Sequence, residues 1–128
     1  MLAATPTRAP LALPLVLLRL EGVALLVGAC LAYGQLDAGW GFFFALLFVP
    51  DVSMVGYLRD PRLGALLYNA GHSLLGPALL LGAALTVSAP TLLAIAVIWF
   101  AHIGMDRALG YGLKHTDAFL HTHLSPAA

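Results

Sequence analysis

The chain has 128 residues, of which 61% are hydrophobic and only 9% are charged, and its formal net charge is zero. Soluble domains contain about 45–50% apolar residues, and the mean hydropathy of this chain is +0.93. The composition therefore predicts an integral membrane protein and leaves no room for a separate soluble domain. The six basic residues are dispersed along the chain, which argues against nucleic-acid binding.

Four apolar stretches are each long enough to cross a bilayer, which takes about 20 mostly apolar residues in a helix. In chain order they cover residues 11–33, 40–58, 63–85 and 90–109. Residues 1–10 and 110–128 are predicted to flank this domain as an N-terminal segment and a short C-terminal tail. The predicted fold class is all-α: a polytopic membrane protein with four antiparallel transmembrane helices in an up-down-up-down bundle, because short connections force antiparallel neighbours.

Turn-forming residues separate the four stretches. Gly34 and Gly39 flank the first connection, Pro61 lies in the second, and Pro90 ends the third. Proline favours the first turn of a helix and glycine favours its end, so these residues mark helix boundaries.

The basic residues indicate how the bundle is oriented. They lie near the start of the first stretch, in the second connection and after His102 in the chain: Arg8, Arg19, Arg59, Arg62, Arg107 and Lys114. The first and third connections contain none. The positive-inside rule therefore predicts that this side and both termini are cytoplasmic. At about 1.5 Å per residue, Asp51 and His72 then lie in the cytoplasmic half of the bilayer.

Polar side chains inside the apolar stretches fall at mirror-image distances from the connections. Glu21 and Asp51 are equally far from the first connection, and His72 and His102 from the third; Asp51 and Asn69 mirror each other about the second. In antiparallel helices these side chains share one depth. Since an unsatisfied polar group is costly in a bilayer, such a layer predicts either a ligand site or a hydrogen-bonded packing device.

The candidate metal ligands are His72, His102, Asp106 and Asp51. His102 and Asp106 are four residues apart and so share a helix face, where the carboxylate can bind a metal with the imidazole or fix its tautomer. Asp51 follows Pro50, which loosens the helix. Two imidazoles with carboxylates suit zinc, manganese or non-haem iron better than copper(I) or calcium. The predicted cofactor is therefore a divalent transition metal.

Three functions of different classes are compatible with this layer. A metal with an open position acidifies bound water, so the first is a membrane metal-dependent hydrolase with Asp51 or Glu21 as general base and a lipid-like substrate. The second is a haem-type cofactor binder with His72 and His102 as axial ligands. The third is a structural or assembly subunit, or a small proton or ion carrier, in which hydrogen bonds hold the helices in register.

Three smaller features complete the interpretation. His121 and His123 form a His-x-His pair in the predicted tail, where a solvated pair is favoured over a metal site. Cys30 ends a Val-Gly-Ala-Cys sequence that loosely imitates a lipoprotein signal, but Arg19 and Glu21 interrupt the apolar core that such a signal needs. Bilayer lipid is the expected partner, and four short, glycine-containing helices are compatible with a homodimer.

Short blocks of sequence resemble a small bacterial membrane family known as domain of unknown function 4260. The blocks are LLRLEG at 17–22, PDVSMVGY at 50–57, YNAGH at 68–72, HIGMDRALGYGLK at 102–114 and THL at 122–124. This resemblance implies a multi-pass protein of the bacterial inner membrane with four helices and no assigned activity. A weaker resemblance links the chain to membrane-bound metal-dependent hydrolases that are induced by DNA damage. It consists of a histidine in one helix and a His-x-x-x-Asp sequence in a later helix. The His-Arg and Thr-His-Ser elements expected in those enzymes are missing.

Overall fold

The computed structural model describes residues 13–113. Within this range the chain is all-helical and contains no strand. The elements are α1 (Leu13–Tyr33), α2 (Trp40–Leu46), a 3-10 helix (Val49–Leu58), α3 (Pro61–His72), α4 (Leu75–Thr86) and α5 (Pro90–Leu109). The predicted N-terminal segment and nearly all of the predicted tail lie outside the described residues, so the proposed domain limits remain a prediction.

All four apolar stretches are helical, but two of them are interrupted. The fourth stretch is one helix, α5, with the predicted bounds of 90 and 109. The second is divided into α2 and the 3-10 helix, and the third is divided into α3 and α4 at Ser73. Each of these two stretches, predicted as one helix, therefore contains two helical elements, and Trp40–Leu58 as a whole is still long and apolar enough to cross a membrane.

A proline explains each interruption. Helix α2 ends at Leu46, four residues before Pro50, and the break at Ser73 lies four residues before Pro77. A proline ring clashes with the carbonyl group four residues earlier and has no N–H to bond to it. The backbone at Ser73 is accordingly extended, with φ −83° and ψ 152°.

Three of the helical segments are long and apolar enough to cross a membrane. They are Leu13–Tyr33, Trp40–Leu58 and Pro90–Leu109, with 21, 19 and 20 residues. These spans indicate a membrane protein. The stretch from Pro61 to Thr86 forms two helices of 12 residues each, and neither half is long enough alone.

Helices α1 and α5 pack with their backbones in contact. A Cβ atom on Gly22 would lie 2.6 Å from the backbone nitrogen of Ala108, and one on Gly104 would lie 2.7 Å from that of Leu26. Only glycine permits this approach, which is the usual way that membrane helices pack closely. It fixes α5 against α1 and leaves the opposite side of α5 to the interrupted segments.

The ends of α3 and α5 are defined by specific hydrogen bonds. The Asp60 side chain accepts a hydrogen bond of 2.7 Å from the backbone N–H of Leu63, with Pro61 in the first turn of α3. Helix α5 ends at Gly110, whose φ of 92° lies in the left-handed region, and the N–H of Tyr111 donates to the Asp106 carbonyl. These ends hold His72 in the last turn of α3 and Asp106 in the last turn of α5.

Candidate metal centre

Four side chains from three elements converge inside the protein. Asp51 comes from the 3-10 helix, His72 from α3, and His102 and Asp106 from α5. One ligand atom from each lies within 4.8 Å of those of the other three. Both imidazoles are buried, and the side chains of Asp106 and Asp51 are 14% and 34% exposed. The four residues therefore lie close enough together to hold a metal ion.

Five of the six separations between the ligand atoms are close to those of a tetrahedral coordination shell. The Nε2 atoms of His72 and His102 are 3.0 Å apart. Each of them lies 3.3 Å from Asp51 Oδ1 and 3.3 Å from Asp106 Oδ2. Bonds of about 2.0–2.1 Å place neighbouring ligands of a tetrahedral zinc ion about 3.3–3.4 Å apart. The side chains thus need little movement to coordinate such an ion.

The tautomer of His72 leaves its Nε2 available to bind a cation or to accept a hydrogen bond. Its Nδ1 lies 2.9 Å from the carbonyl oxygen of Tyr68, which can only accept, so Nδ1 carries the proton. In the neutral ring Nε2 then has a bare lone pair, and this lone pair faces the carboxylates of Asp51 and Asp106. A bound cation would satisfy all three acceptors, as would a proton on Nε2 of His102, which lies 3.0–3.3 Å from each of them. The same Nδ1–H to carbonyl bond orients metal-bound histidines generally.

Neighbouring groups hold the other ligands in place. The Tyr68 ring stacks on His72 with 3.8 Å between ring centroids, and its hydroxyl lies close enough to the Asp106 carboxylate to interact with it. His102 Nδ1 is buried without a well-formed hydrogen bond in residues 13–113, although the backbone of Leu47 lies close enough to interact with the ring. Helix α2 ends at the residue before Leu47, so its break gives the ring a backbone neighbour.

The break in the third stretch is closely packed against Trp99 and Ser53. Trp99 Nε1 donates a 2.6 Å hydrogen bond to the carbonyl of Gly71, next to the break. A Cβ on Gly76 would lie 2.5 Å from the Trp99 ring, and one on Gly71 would lie 2.9 Å from Ser53 Oγ. Gly71 and Gly76, on either side of the break, therefore both lie at close contacts between elements.

The remaining predicted polar residues lie elsewhere. Glu21 is exposed on α1 and is not among the four converging residues. Asn69 is half-buried on α3 and does not belong to the set either. His121 and His123 lie outside the described residues. Cys30 is a free, half-buried cysteine that packs against the apolar core from within α1.

The spacing of the two histidines counts against axial ligation of a haem. Two axial imidazoles lie on opposite faces of the macrocycle, with their nitrogens two metal–nitrogen bonds, about 4 Å, apart. The Nε2 atoms of His72 and His102 are only 3.0 Å apart, and two carboxylates occupy the space around them. A single small ion fits this arrangement and a porphyrin does not.

Sequence reasoning missed the residues that orient the ligands. It assigned no role to Tyr68 or Trp99 at the centre. Gly104, which lies between His102 and Asp106 in the sequence, packs against α1. Tyr68 precedes His72 by four residues and therefore shares its helix face, which is the signal that could have identified it.

Comparison with known proteins gives a family without a stated activity. A family model described as a domain of unknown function (DUF4260) matches residues 15–126. Neither a curated protein nor a solved structure shows significant similarity to the chain. The family match includes all four residues of the candidate metal centre. Because it covers most of the sequence, the chain belongs to the DUF4260 family.

Proposed function

We propose that this protein binds a divalent transition metal within the membrane and uses it to hydrolyse a lipid-like substrate. The observation that carries the metal site is the convergence of Asp51, His72, His102 and Asp106 on one point. Zinc is the best candidate, because the ligand separations suit tetrahedral coordination and the donors are nitrogen and oxygen. Manganese and iron(II) accept the same donors and are the alternatives.

The proposed reaction depends on the exposure of Asp51. It is the most exposed of the four side chains, at 34%, and so offers the route by which water and substrate reach the centre. A bound divalent cation acidifies water and polarises an ester or phosphate oxygen. If His72, His102 and Asp106 held the metal and a water took the fourth position, Asp51 would accept the proton of that water and return it to the leaving oxygen, so the products would be an acid and an alcohol. Glu21, the other carboxylate predicted as a base, lies outside the converging set.

The proposal includes an orientation in the bacterial inner membrane. Arg19 Nε donates to the carbonyl of Ala108, so basic residues of α1 and α5 lie at one end of this helix pair. Gly22 of α1 contacts Ala108 of α5, and Leu26 of α1 contacts Gly104 of α5. Residue numbers in the contacting pairs thus increase along α1 and decrease along α5, which supports an antiparallel arrangement. The positive-inside rule then favours a cytoplasmic location for this end and for the metal centre.

Elemental analysis tests the metal site. The protein is purified in detergent without a histidine tag, beside the His72→Ala/His102→Ala double variant and the matched carboxylate variants Asp106→Asn and Glu21→Gln. We expect near-stoichiometric metal in the wild type and in Glu21→Gln, and its loss from the double variant and from Asp106→Asn. A folded wild-type protein without metal, with folding checked by circular dichroism, would contradict the proposal.

Hydrolysis is tested on the metal-loaded protein with lipid esters and lipid phosphates in mixed micelles. We expect turnover that disappears on chelation and in Asp51→Asn. Retention of metal by Asp51→Asn with normal turnover would exclude Asp51 as the base.

A structural metal is the second candidate, and the completeness of the ligand set favours it. Four protein ligands are typical of structural zinc, whereas catalytic sites keep one position open. The centre joins the 3-10 helix, α3 and α5 where the helices are interrupted. For this function we expect chelation to lower the unfolding temperature with no turnover of any lipid ester or phosphate.

A further inference from the structure

An apolar cavity of about 330 Å³ lies between the interrupted second segment and α5. The residues that line it are Leu46, Val49, Pro50, Ile95, Ile98 and Trp99. The cavity lies where α2 ends and the 3-10 helix begins. The break near Pro50 is therefore next to both Asp51 and this cavity.

The cavity and the metal centre are built from two of the same elements, the 3-10 helix and α5. Pro50 directly precedes Asp51 in the chain, and Ile98 lies one helical turn before His102 on the same face of α5. From Ile95 to His102 this face rises by about 10 Å. Val49 is 52% exposed, which leaves the cavity a lateral opening towards the bilayer.

From this arrangement we infer that the cavity holds the acyl chain of the substrate, with the polar head of the substrate at the metal centre. The inference rests on the proposed function and specifies its substrate class: a single-chain or multi-chain lipid whose scissile group adjoins an alkyl segment. Apolar walls exclude a polar ligand from the cavity, and a cation at one end attracts a carboxylate or phosphate head. The apolar cavity thus suits the alkyl chain of an amphiphile, and the metal centre suits its polar head.

A second groove provides a matched control. It has a volume of about 470 Å³, is also apolar, and lies between α1, α4 and α5. Its α5 residues include Val97 and Phe100, which lie on a different face from His102. Gly28 lines this groove, and a Cβ added there meets no atom within 4 Å. A larger side chain at Gly28 therefore fills a groove that does not adjoin the metal centre.

Trp99 in the cavity wall reports on occupancy. In a Trp40→Phe background it is the remaining tryptophan of the two in the chain. The probe is a fatty acid brominated in the middle of its chain, since bromine quenches tryptophan fluorescence on contact and the carboxylate provides a metal-binding head. The titration is repeated with Val49→Phe and Ile95→Phe, which narrow the cavity, and with Gly28→Leu. Metal content is measured on every sample.

We expect saturable quenching of Trp99, at least fivefold weaker binding in Val49→Phe and Ile95→Phe, and unchanged binding in Gly28→Leu. Quenching that does not saturate, or that is equal in all variants, would show contact with bulk lipid and overturn the inference. Absence of quenching in metal-loaded protein would also overturn the inference, without contradicting the proposed metal centre. This result is expected if a second copy of the chain fills the cavity. Saturable quenching in protein that binds no metal would instead overturn the proposed function and keep the acyl site.

Discussion

Helix α5 makes two contacts of opposite character. Towards α1 it offers Gly104, and the two backbones approach so closely that a Cβ would lie 2.7 Å from Leu26 N. Towards α3 and the 3-10 helix it offers His102 and Asp106, which lie 3.0–3.3 Å from polar atoms of His72 and Asp51. The contact with α1 joins two continuous helices through small residues. The other contact joins α5 to the interrupted segments.

The difference shows what a proline contributes inside a membrane segment. A continuous helix satisfies its own backbone groups and can offer only side chains to its neighbours. The breaks at Pro50 and Pro77 release backbone groups that other residues then use: Trp99 donates to the carbonyl of Gly71, and Leu47 approaches His102. The interrupted segments can therefore position ligands, whereas the α1–α5 pair supplies the rigid support.

The largest effect is expected at the rigid contact. Gly104→Val places a side chain against the backbone of Leu26 and against the Gly22 carbonyl oxygen, which would lie 2.9 Å from the new Cβ atom. Since backbone cannot rotate away, we expect the free energy of unfolding in mixed micelles to fall by about 3 kcal/mol. Gly28→Val, which meets no atom within 4 Å, is the control and should change it by less than about 0.5 kcal/mol. Equal losses would mean that α1 does not pack on α5 in this way.

At the metal centre, Tyr68→Phe keeps the ring stacked on His72 but removes the hydroxyl that lies close enough to interact with Asp106. Loss of a group that orients a ligand weakens metal binding about 10-fold or more. Competition with a chelator measures this affinity. Tyr33→Phe is the control, because it loses a 2.7 Å hydrogen bond to the Gly39 carbonyl at the other end of α1 and should leave the affinity unchanged. The orienting role of Tyr68 is wrong if both variants behave alike.

Restoring a continuous helix separates ligand placement from stability. Pro77→Ala removes the clash with the Ser73 carbonyl, so α3 and α4 can join and His72 is carried away from His102. We expect metal affinity to fall several-fold with helix content, measured by circular dichroism, unchanged or higher. Pro90→Ala, in the first turn of α5, is the control. Unaltered affinity in Pro77→Ala would show that the break is not needed for the centre.

The smallest effect is expected at the start of α3. Asp60→Ala removes the side chain that accepts from Leu63 N–H, which costs about 1 kcal/mol of unfolding free energy. Metal affinity should stay the same, because the cap lies three turns from His72. Asp37→Ala, in the first connection, is the control for loss of an aspartate elsewhere. A change in affinity would show that the start of α3 helps to set the position of His72.

Much of the helical pattern could be predicted from the sequence, because apolar length and turn residues are local signals. Helix α5 has the predicted bounds, and the four apolar stretches are helical. The close approach of Asp51, His72, His102 and Asp106 could also be anticipated, from the four-residue spacing of His102 and Asp106 and from equal distances to the connections.

The rest depends on contacts between elements. Pro77 follows Gly76 in an otherwise apolar run, and its effect on Ser73 is visible only when the carbonyl four residues earlier is considered. Glu21 and Asp51 are equally far from the first connection and are therefore expected at the same depth in the membrane. Depth does not determine the direction of a side chain, however, and Glu21 is exposed. Gly104 could equally have faced the centre or α1, and only the packing of α1 decides between them.

X-ray absorption spectroscopy at the edge of the bound metal, on protein loaded with zinc, tests the central claim most directly. We expect a first shell of four nitrogen and oxygen atoms at about 2.0 Å, with scattering from two imidazoles that falls to one, or disappears with the zinc, in His72→Ala. A sulfur ligand, a shell without imidazole, or a spectrum unchanged by His72→Ala would contradict the claim that these four side chains hold the metal.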